Sequence, residues 1–272
     1  MKKILSAILM AALLLTSVLA FTACGGAASD PVLKVIDIPL TSEEYAFAVK
    51  KGDAELLASV NAFLAEIKAN GKFDEIVNKY FGDGTPTGVT SAAEDASKDQ
   101  LVVATNAAFA PFEYKEGDTY YGVDMEIMAA LAESLGKELV ISNMEFESVC
   151  TAVAEGMCDV AAAGLTVNET RKEFVNFTAS YATGVQVIIV PEGSKIKSVD
   201  DLFADGAFHK IGVQEATTGD LYSTWDLEDA GKAEVQRFPK GADAVNALVT
   251  GKVDCVIIDS EPAKVFVANN NK

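Results

Sequence analysis

Arg171 follows Asn168 by three positions in the run Gly164-Leu165-Thr166-Val167-Asn168-Glu169-Thr170-Arg171-Lys172. Asn is a favoured helix N-cap, which places Arg171 in a first helical turn, where a cation opposes the helix dipole by roughly a few tenths of a kcal/mol. An arginine beside free backbone donors makes sense if an anion sits between them, because a guanidinium grips a carboxylate through two parallel hydrogen bonds. A solvated surface arginine fits the same spacing. In Val213-Gln214-Glu215-Ala216-Thr217-Thr218-Gly219-Asp220 a strand gives way to a helix start, and the hydroxyls and amides of Thr217 and Thr218 either receive an anion or simply cap the helix. Asp259 closes the apolar strand 256–258. A carboxylate there needs a partner, which is a ligand's ammonium group or a structural donor such as a backbone amide. The loop Asn106-Ala107-Ala108-Phe109-Ala110-Pro111-Phe112 can present Phe109 as a flat wall to a ligand. Both phenylalanines could equally belong to the core, the reading that suits Phe112 better. Guanidinium and helix-end donors for a carboxylate, an Asp for an ammonium and an aromatic wall together outline a receptor for a free α-amino acid.

Such groups must be held at strand ends. Beyond the first hundred residues strands and helices alternate: strand 101–105, helix 125–135, strand 138–142, helix 149–155 and strand 159–163, then strand 210–214, a helix beginning at 219–225, strand 234–238, helix 242–250 and strand 254–258. This alternation predicts mainly parallel sheets covered by helices, with ligands bound beyond the carboxyl ends of the strands. An internal echo links the two sets. The segments 152–159 and 247–254 each carry a helix end, a glycine turn and an aspartate before a buried strand, which favours two similarly built lobes with a cleft between them. Ahead of them lie a strand at 32–38, an extended stretch at 45–49 and a helix opening at Asp53, with Leu56, Leu57, Val60, Leu64 and Ile67 on one face. Asn70-Gly71 stops it, and a shorter helix ends at Phe81-Gly82. Residues 83–100 hold Gly, Pro, Thr, Ser and Ala with almost nothing to bury, as a surface linker does.

The 272 residues are half apolar, enough for two medium lobes with real cores. Against 40 acidic side chains stand 22 Lys and Arg, a formal charge of −18, so attraction to nucleic-acid phosphates is disfavoured and no nucleic-acid partner is expected. Four cysteines and a single histidine, with no paired Cys-x-x-Cys, leave neither a zinc finger nor a disulfide scaffold. Cys150, Cys158 and Cys255 read as packing thiols, with a 150–158 disulfide left open. No metal and no cofactor are implied.

The amino terminus reads as an export signal. Lys2 and Lys3 precede an apolar run over 4–20, and Phe21-Thr22-Ala23-Cys24-Gly25-Gly26 resembles a bacterial lipoprotein box, in which Cys24 would be lipidated and become the first mature residue. Simple secretory cleavage after Ala20 is the other reading. The expected order is a signal peptide over 1–23, a lipoprotein tether over 24–31 and an extracytoplasmic body anchored to the bacterial cell membrane through Cys24.

Several segments together resemble the family-3 bacterial extracellular solute-binding proteins, the polar amino-acid-binding proteins of ABC importers: Ala104-TNAAFAPFEY, Tyr121-GVDMEIMAALAESLG, Asp159-VAAAGLTVNETRKEFVNFTASY, Ile211-GVQEATTGD and Gly251-KVDCVIID, with the helical segment 53–82. Their order is unusual. In that family the counterpart of 32–82 follows the region that here stops at Lys272, so the resemblance implies a circular permutation in which the usual last helix is joined through 83–100 to the usual first strand. The implied fold class is α/β, a two-lobed type II periplasmic-binding-protein fold, circularly permuted. Lobe one is expected over 48–180 including the linker 83–100, lobe two over 32–43 plus 187–272, and hinge strands at 44–47 and 181–186.

The same resemblance implies that Arg171 clamps a ligand carboxylate with Thr166 and the Thr217 and Thr218 amides, while Asp259 and the Gly164 carbonyl take the ammonium. Phe109 and Phe146 would sandwich the side chain, and Asn106 and Gln214 would probe its tip. Relatives that bind cationic amino acids commonly carry Asp where this chain has Asn106, which points to a neutral polar L-amino acid. Ala216 stands where Gly is frequent. The expected partners are a free L-amino acid and an ABC-transporter permease, and the expected role is capture and delivery rather than catalysis. Two rival roles are a ligand-sensing subunit without transport and a dehydratase-like enzyme on the same fold. His209 has no evident nucleophile partner for triad chemistry.

Overall fold

A computed structural model of the chain describes residues 30–272, and the predicted signal peptide and Cys24 lie outside the described residues. The leading segment forms β1 (Leu33–Ile36), β2 (Glu43–Tyr45), β3 (Ala48–Lys50), α1 (Ala54–Ala69) and α2 (Lys72–Phe81). Next come β4 (Gln100–Thr105), β5 (Ala108–Phe109), β6 (Glu113–Glu116), β7 (Thr119–Tyr121), α3 (Val123–Leu135), β8 (Glu138–Asn143), α4 (Phe146–Ala154), β9 (Val160–Ala161), α5 (Glu169–Lys172) and β10 (Val175–Phe177). The remainder holds β11 (Ala182–Gly184), β12 (Gln186–Pro191), α6 (Asp200–Phe203), β13 (His209–Gln214), α7 (Thr218–Tyr222), a π-helical continuation at Ser223–Glu228, β14 (Ala233–Phe238), α8 (Gly241–Val249), β15 (Cys255–Asp259) and α9 (Ser260–Asn270).

Two five-stranded sheets carry the lobes, in the orders β10-β3-β9-β4-β8 and β1-β12-β15-β13-β14. Each has two parallel pairings at one side and two antiparallel pairings at the other. The leading segment therefore completes both: β3 lies between β10 and β9, and β1 runs antiparallel along β12. Between the sheets β2 pairs with β11, Tyr45 opposite Ala182. Apolar clusters cover both faces of each sheet, with Phe47, Leu101 and Ile127 in one lobe and Ile188, Ile211 and Ile257 in the other.

The echo in the sequence has a physical cause. Asp159 Oδ2 accepts from the Val102 amide at 2.8 Å, and Asp254 Oδ2 accepts from the Lys210 amide at 2.8 Å. Each aspartate ties the start of a buried strand to its parallel neighbour, β4 or β13, and the left-handed Gly156 and Gly251 turn the preceding helix into it. In the leading segment Asp53 caps α1 by accepting from the Leu56 amide at 2.9 Å, and the chain turns at Gly71 with φ +84°.

The stretch 83–100 differs from a free linker. Val89 is buried and bridges Tyr120, the Ala92 amide donates to the Leu139 carbonyl at 2.8 Å, and Ser91 Oγ accepts from the Ile141 amide at 2.8 Å. Its small side chains let the backbone lie flat on the neighbouring elements, where main-chain hydrogen bonds replace apolar burial. The extended stretch 45–49 divides into β2 and β3, and α4 begins three residues before the expected 149. Cys158 and Cys255 are buried and Cys150 half-buried, all as free thiols.

Candidate functional site

Asn168 caps the four-residue α5 by accepting from the Arg171 amide at 2.8 Å, which turns Arg171 inward. Its side chain is buried, 9% exposed, with Nη1 donating to the Thr166 carbonyl at 2.9 Å and Nη2 to the Ala216 carbonyl at 3.1 Å. The guanidinium carbon stands 5.2 Å from the centre of the Phe146 ring, a cation–π distance. Among the described residues Arg171 forms no ion pair, and burial pulls its pKa down. A buried cation that lacks a counter-charge costs several kcal/mol, roughly, so its remaining donors are set for an anion. The solvated-surface reading of Arg171 does not hold.

Asp259 ends β15 at 6% exposure and accepts from the Tyr45 hydroxyl of β2. Burial, and then the neighbouring Glu43 carboxyl, push its pKa up to about 7. Glu43 is held by the Thr41 hydroxyl at 2.6 Å, by Gln186 Nε2 at 2.9 Å and by the Thr166 hydroxyl. Asp259 thus has the structural donor that the sequence left open, and that donor is a phenol rather than an amide.

All ten sequence-derived candidates line one tightly closed cleft. Asn106, Phe109, Phe146, Gly164, Thr166 and Arg171 come from the first lobe, and Gln214, Thr217, Thr218 and Asp259 from the second. Three hydrogen bonds close the lobes over it: Gln214 Nε2 to Asn106 Oδ1 at 3.1 Å, the Thr218 hydroxyl to Thr166 Oγ1 at 3.0 Å, and Arg171 to the Ala216 carbonyl. Phe112 is core, 4% exposed. The Thr217 hydroxyl is spent locally, donating to the Gln214 carbonyl at 2.8 Å while capping α7. Ala216 adopts φ +61°, a left-handed conformation that explains why glycine suits this position and that aims its carbonyl at Arg171.

Two further carboxyls escaped the sequence reading. Glu113 on β6 lines the cavity, and both its oxygens are buried without a hydrogen-bond partner among the described residues. Asp124, in the first turn of α3, accepts from the Gly164 amide at 3.1 Å, and burial raises its pKa to about 7. Burial and the neighbouring Asp124 drive the Glu113 pKa well above the carboxylate range. No local signal marks either one, since Lys115, Glu116 and Asp118 lie between them in the sequence. Among the described residues no group of His, Cys, Asp or Glu is arranged to hold a metal ion.

A two-lobed α/β fold with an enclosed cleft at the hinge defines a class of ligand-trapping proteins. The profile of the bacterial extracellular solute-binding proteins, family 3, matches residues 6–83 and 101–264, and the chain belongs to that family. It is 28% identical over 188 residues to the arginine-binding extracellular protein ArtP of Bacillus subtilis, covering 69% of this chain and 71% of ArtP. It is 31% identical over 169 residues to a protein of Neisseria gonorrhoeae named as a probable histidine-binding protein, covering 62% of each, so the chain spans less than two thirds of that relative. A cyclohexadienyl dehydratase of Pseudomonas aeruginosa is 24% identical over 61% of each chain. Among solved structures, an ancestral arginine-binding protein bound to arginine superposes with a TM-score of 0.59 at 31% identity, covering 64% of this chain and 75% of that one.

Proposed function

We propose that the protein binds a free L-amino acid outside the cytoplasm and delivers it to an ABC-transporter permease. The single observation that carries this is Arg171, a buried guanidinium without an ion pair, sharing one cavity with the buried carboxyl of Asp259. The α-carboxylate of the ligand supplies the missing anion, with Thr166 and the Thr217 and Thr218 amides beside it. Its ammonium takes Asp259 and the Gly164 carbonyl, its side chain lies between Phe109 and Phe146, and the tip meets Asn106 and Gln214. A neutral polar side chain suits that amide-lined end. Because the ligand touches both lobes, it stabilises the closed form, which is what a permease would read. Relatives named for arginine and histidine binding support the amino-acid class. Binding rather than catalysis is supported by relatives named as binding proteins, while His209 lies away from the cavity with its ring against the Asp201 carbonyl at 3.2 Å.

Two parts of this reading concern the chain as a whole. Cys24 carries a lipid anchor after removal of the signal peptide, leaving the two lobes tethered to the cell membrane. The element order is a circular permutation: lobe one spans 48–180, lobe two 32–43 plus 187–272, with hinges at 44–47 and 181–186. The leading strands completing both sheets, and a family match broken at 84–100, support that order.

The test is calorimetry with the twenty standard L-amino acids on the wild type and on Arg171→Ala. Removing one partner of a buried charge pair costs about 3–5 kcal/mol, so affinity should drop by roughly two to four orders of magnitude while the circular dichroism spectrum is kept. Unchanged affinity removes Arg171 from the site.

A further inference from the structure

A second cavity, of about 530 Å³, shares no lining residue with the cleft. That is the size of a small-molecule site. Phe73, Val77, Phe81 and Phe112 wall it from the first lobe, β11 passes along it at 182–184, and Ser260 and Glu261 face it from the start of α9. Two aromatic rings stand between the cavity and the cleft. Tyr45 lines the cavity while its hydroxyl reaches Asp259 in the cleft, and Phe112 lines it while stacking on Phe109 with ring centres 6.0 Å apart. Gly184 has no room for a Cβ against the Tyr45 ring, so bare backbone of β11 seats that partition. The cavity thus lies behind the β2–β11 pair, across the partition from the cleft.

Two features define what would fill it. Phe81 is 47% exposed, with its ring edge-on to Phe112 at 5.7 Å. An exposed ring beside an aromatic floor gains by being covered with another flat apolar group. The only charged side chain in the lining is Glu261. Its Oε1 accepts from Lys264 Nζ at 2.7 Å, an exposed pairing of small worth, and no donor among the described residues reaches Oε2. A wall that carries a carboxylate and neither Lys nor Arg repels anions and favours a cation. We propose that this cavity is a second binding site, for an aromatic amine whose ring packs on Phe81 and Phe112 and whose ammonium pairs with Glu261, and that its occupant favours the closed arrangement of the lobes.

The coupling follows from the geometry. Three hydrogen bonds shut the cleft, and with the cleft shut the cavity behind it stands open between Phe81 of one lobe and Glu261 of the other. A hinge rotation that parts two lobes on one side brings them together on the other, so a molecule held between these residues resists opening. By linkage, each ligand then raises the affinity for the other by the same factor. That linkage rests on the proposed amino-acid site, whereas the amine site does not.

Phenethylamine is the probe, with 2-phenylethanol as its uncharged counterpart. In an NMR titration of isotope-labelled protein the amine should bind with a dissociation constant of about 1 mM or tighter and shift the amides of Phe81, Thr183 and Glu261. The alcohol should bind about three- to tenfold more weakly, and Glu261→Gln should bring the amine down to the level of the alcohol while leaving amino-acid affinity within about twofold. Saturating phenethylamine should raise the affinity for whichever of the twenty standard L-amino acids binds most tightly by about fivefold or more in calorimetry. Shifts confined to cleft residues such as Gly164 and Thr217, or an amino-acid affinity that falls with added amine, would place the probe in the cleft and overturn the proposal. An unmoved amino-acid affinity, no saturable binding of the amine, or a Glu261→Gln that binds both probes as the wild type does would overturn it equally. A wild type that binds none of the twenty overturns the amino-acid reading alone. The amine site is then decided by the titration and by Glu261→Gln, and closure by whether the amine lowers the radius of gyration in solution X-ray scattering.

Discussion

Gln214 donates from Nε2 to Asn106 Oδ1 over 3.1 Å, joining residues 108 positions apart and linking the lobes where the cavity is lined by amides. Asn106 is oriented from behind, its own Nδ2 donating to the Met144 carbonyl at 2.7 Å, so only its oxygen faces Gln214. Asn106→Asp exchanges a neutral acceptor for an anionic one and sets a carboxylate oxygen against the Met144 carbonyl. The ligand-free protein should lose about 1–2 kcal/mol of stability in urea denaturation for that lost bond. Because guanidinium–carboxylate pairs are far stronger than amide pairs, the ratio of L-arginine to L-glutamine affinity should rise about tenfold or more by calorimetry. A ratio unmoved by this substitution would detach Asn106 from the side-chain end of the site.

Asp259 gives the site a pH dependence whose sign is fixed. Its pKa in the ligand-free cleft is raised to about 7, whereas ammonium binding requires the carboxylate. Below that value binding must expel a proton, so amino-acid affinity should fall by close to tenfold per pH unit on acidification and level off above it. Asp259→Asn should flatten the profile. Stability of the ligand-free protein runs the other way. Glu113, Asp124 and Asp259 all have raised pKa values, those of the two aspartates reaching about 7, so the aspartates' contribution is present at the ordinary carboxylate pKa and below, and it is lost as the pH rises through about 7. The melting temperature without ligand should therefore decline from about pH 5.5 to about pH 8. A flat melting profile would mean that these carboxyls are not buried.

Gly164 is tied to its environment twice. Its φ of +54° is a left-handed value, and an added Cβ would stand 2.7 Å from the Phe109 ring. Gly164→Ala combines backbone strain of about 1–2 kcal/mol with a displaced aromatic wall. We expect a modest fall in melting temperature and at least about a tenfold loss of amino-acid affinity. Gly156→Ala, also left-handed but remote from the cavity, should lower the melting temperature alone.

Much of this architecture was legible in residue patterns because the signals were local. The Asp53 and Asn168 caps and the Gly156 and Gly251 turns each depend on neighbours a few positions away, and each stands where the pattern put it. The ten candidate site residues were read from their strand ends and from family likeness, and they share one cavity. Tyr45, Glu43 and Glu113 were not legible as site residues, because their importance comes from contacts across the fold. Tyr45 meets Asp259 from 214 positions away, and nothing near either residue marks the pairing. The stretch 83–100 lies at the surface as its composition implies, Val89 alone being buried, and only its backbone contacts were not legible. Its composition lacks apolar mass, but its backbone is hydrogen-bonded to the first lobe, an interaction that side-chain patterning does not record.

Glu126 on α3 ties the end of the leading segment to the first lobe. It is 7% exposed and accepts from Lys79 Nζ at 2.6 Å, from the Tyr80 hydroxyl at 2.7 Å and from the Thr87 amide at 2.9 Å. These donors come from the end of α2 and from the stretch that joins α2 to β4, so one carboxylate ties three points of the proposed permutation's junction. Glu126→Ala strands a mostly buried lysine, a half-buried phenol and a backbone amide at once. We expect a loss of about 2–4 kcal/mol in urea denaturation, since each unmet buried donor costs roughly 1–3 kcal/mol and water can reach part of the gap. Amino-acid affinity should stay within about twofold, because neither Glu126 nor its partners Lys79, Tyr80 and Thr87 line the cavity. Limited proteolysis should then cut first within residues 83–99. Undiminished stability, or cleavage elsewhere, would show that the junction is held by the packing of α1 and α2 on the first lobe rather than by this carboxylate.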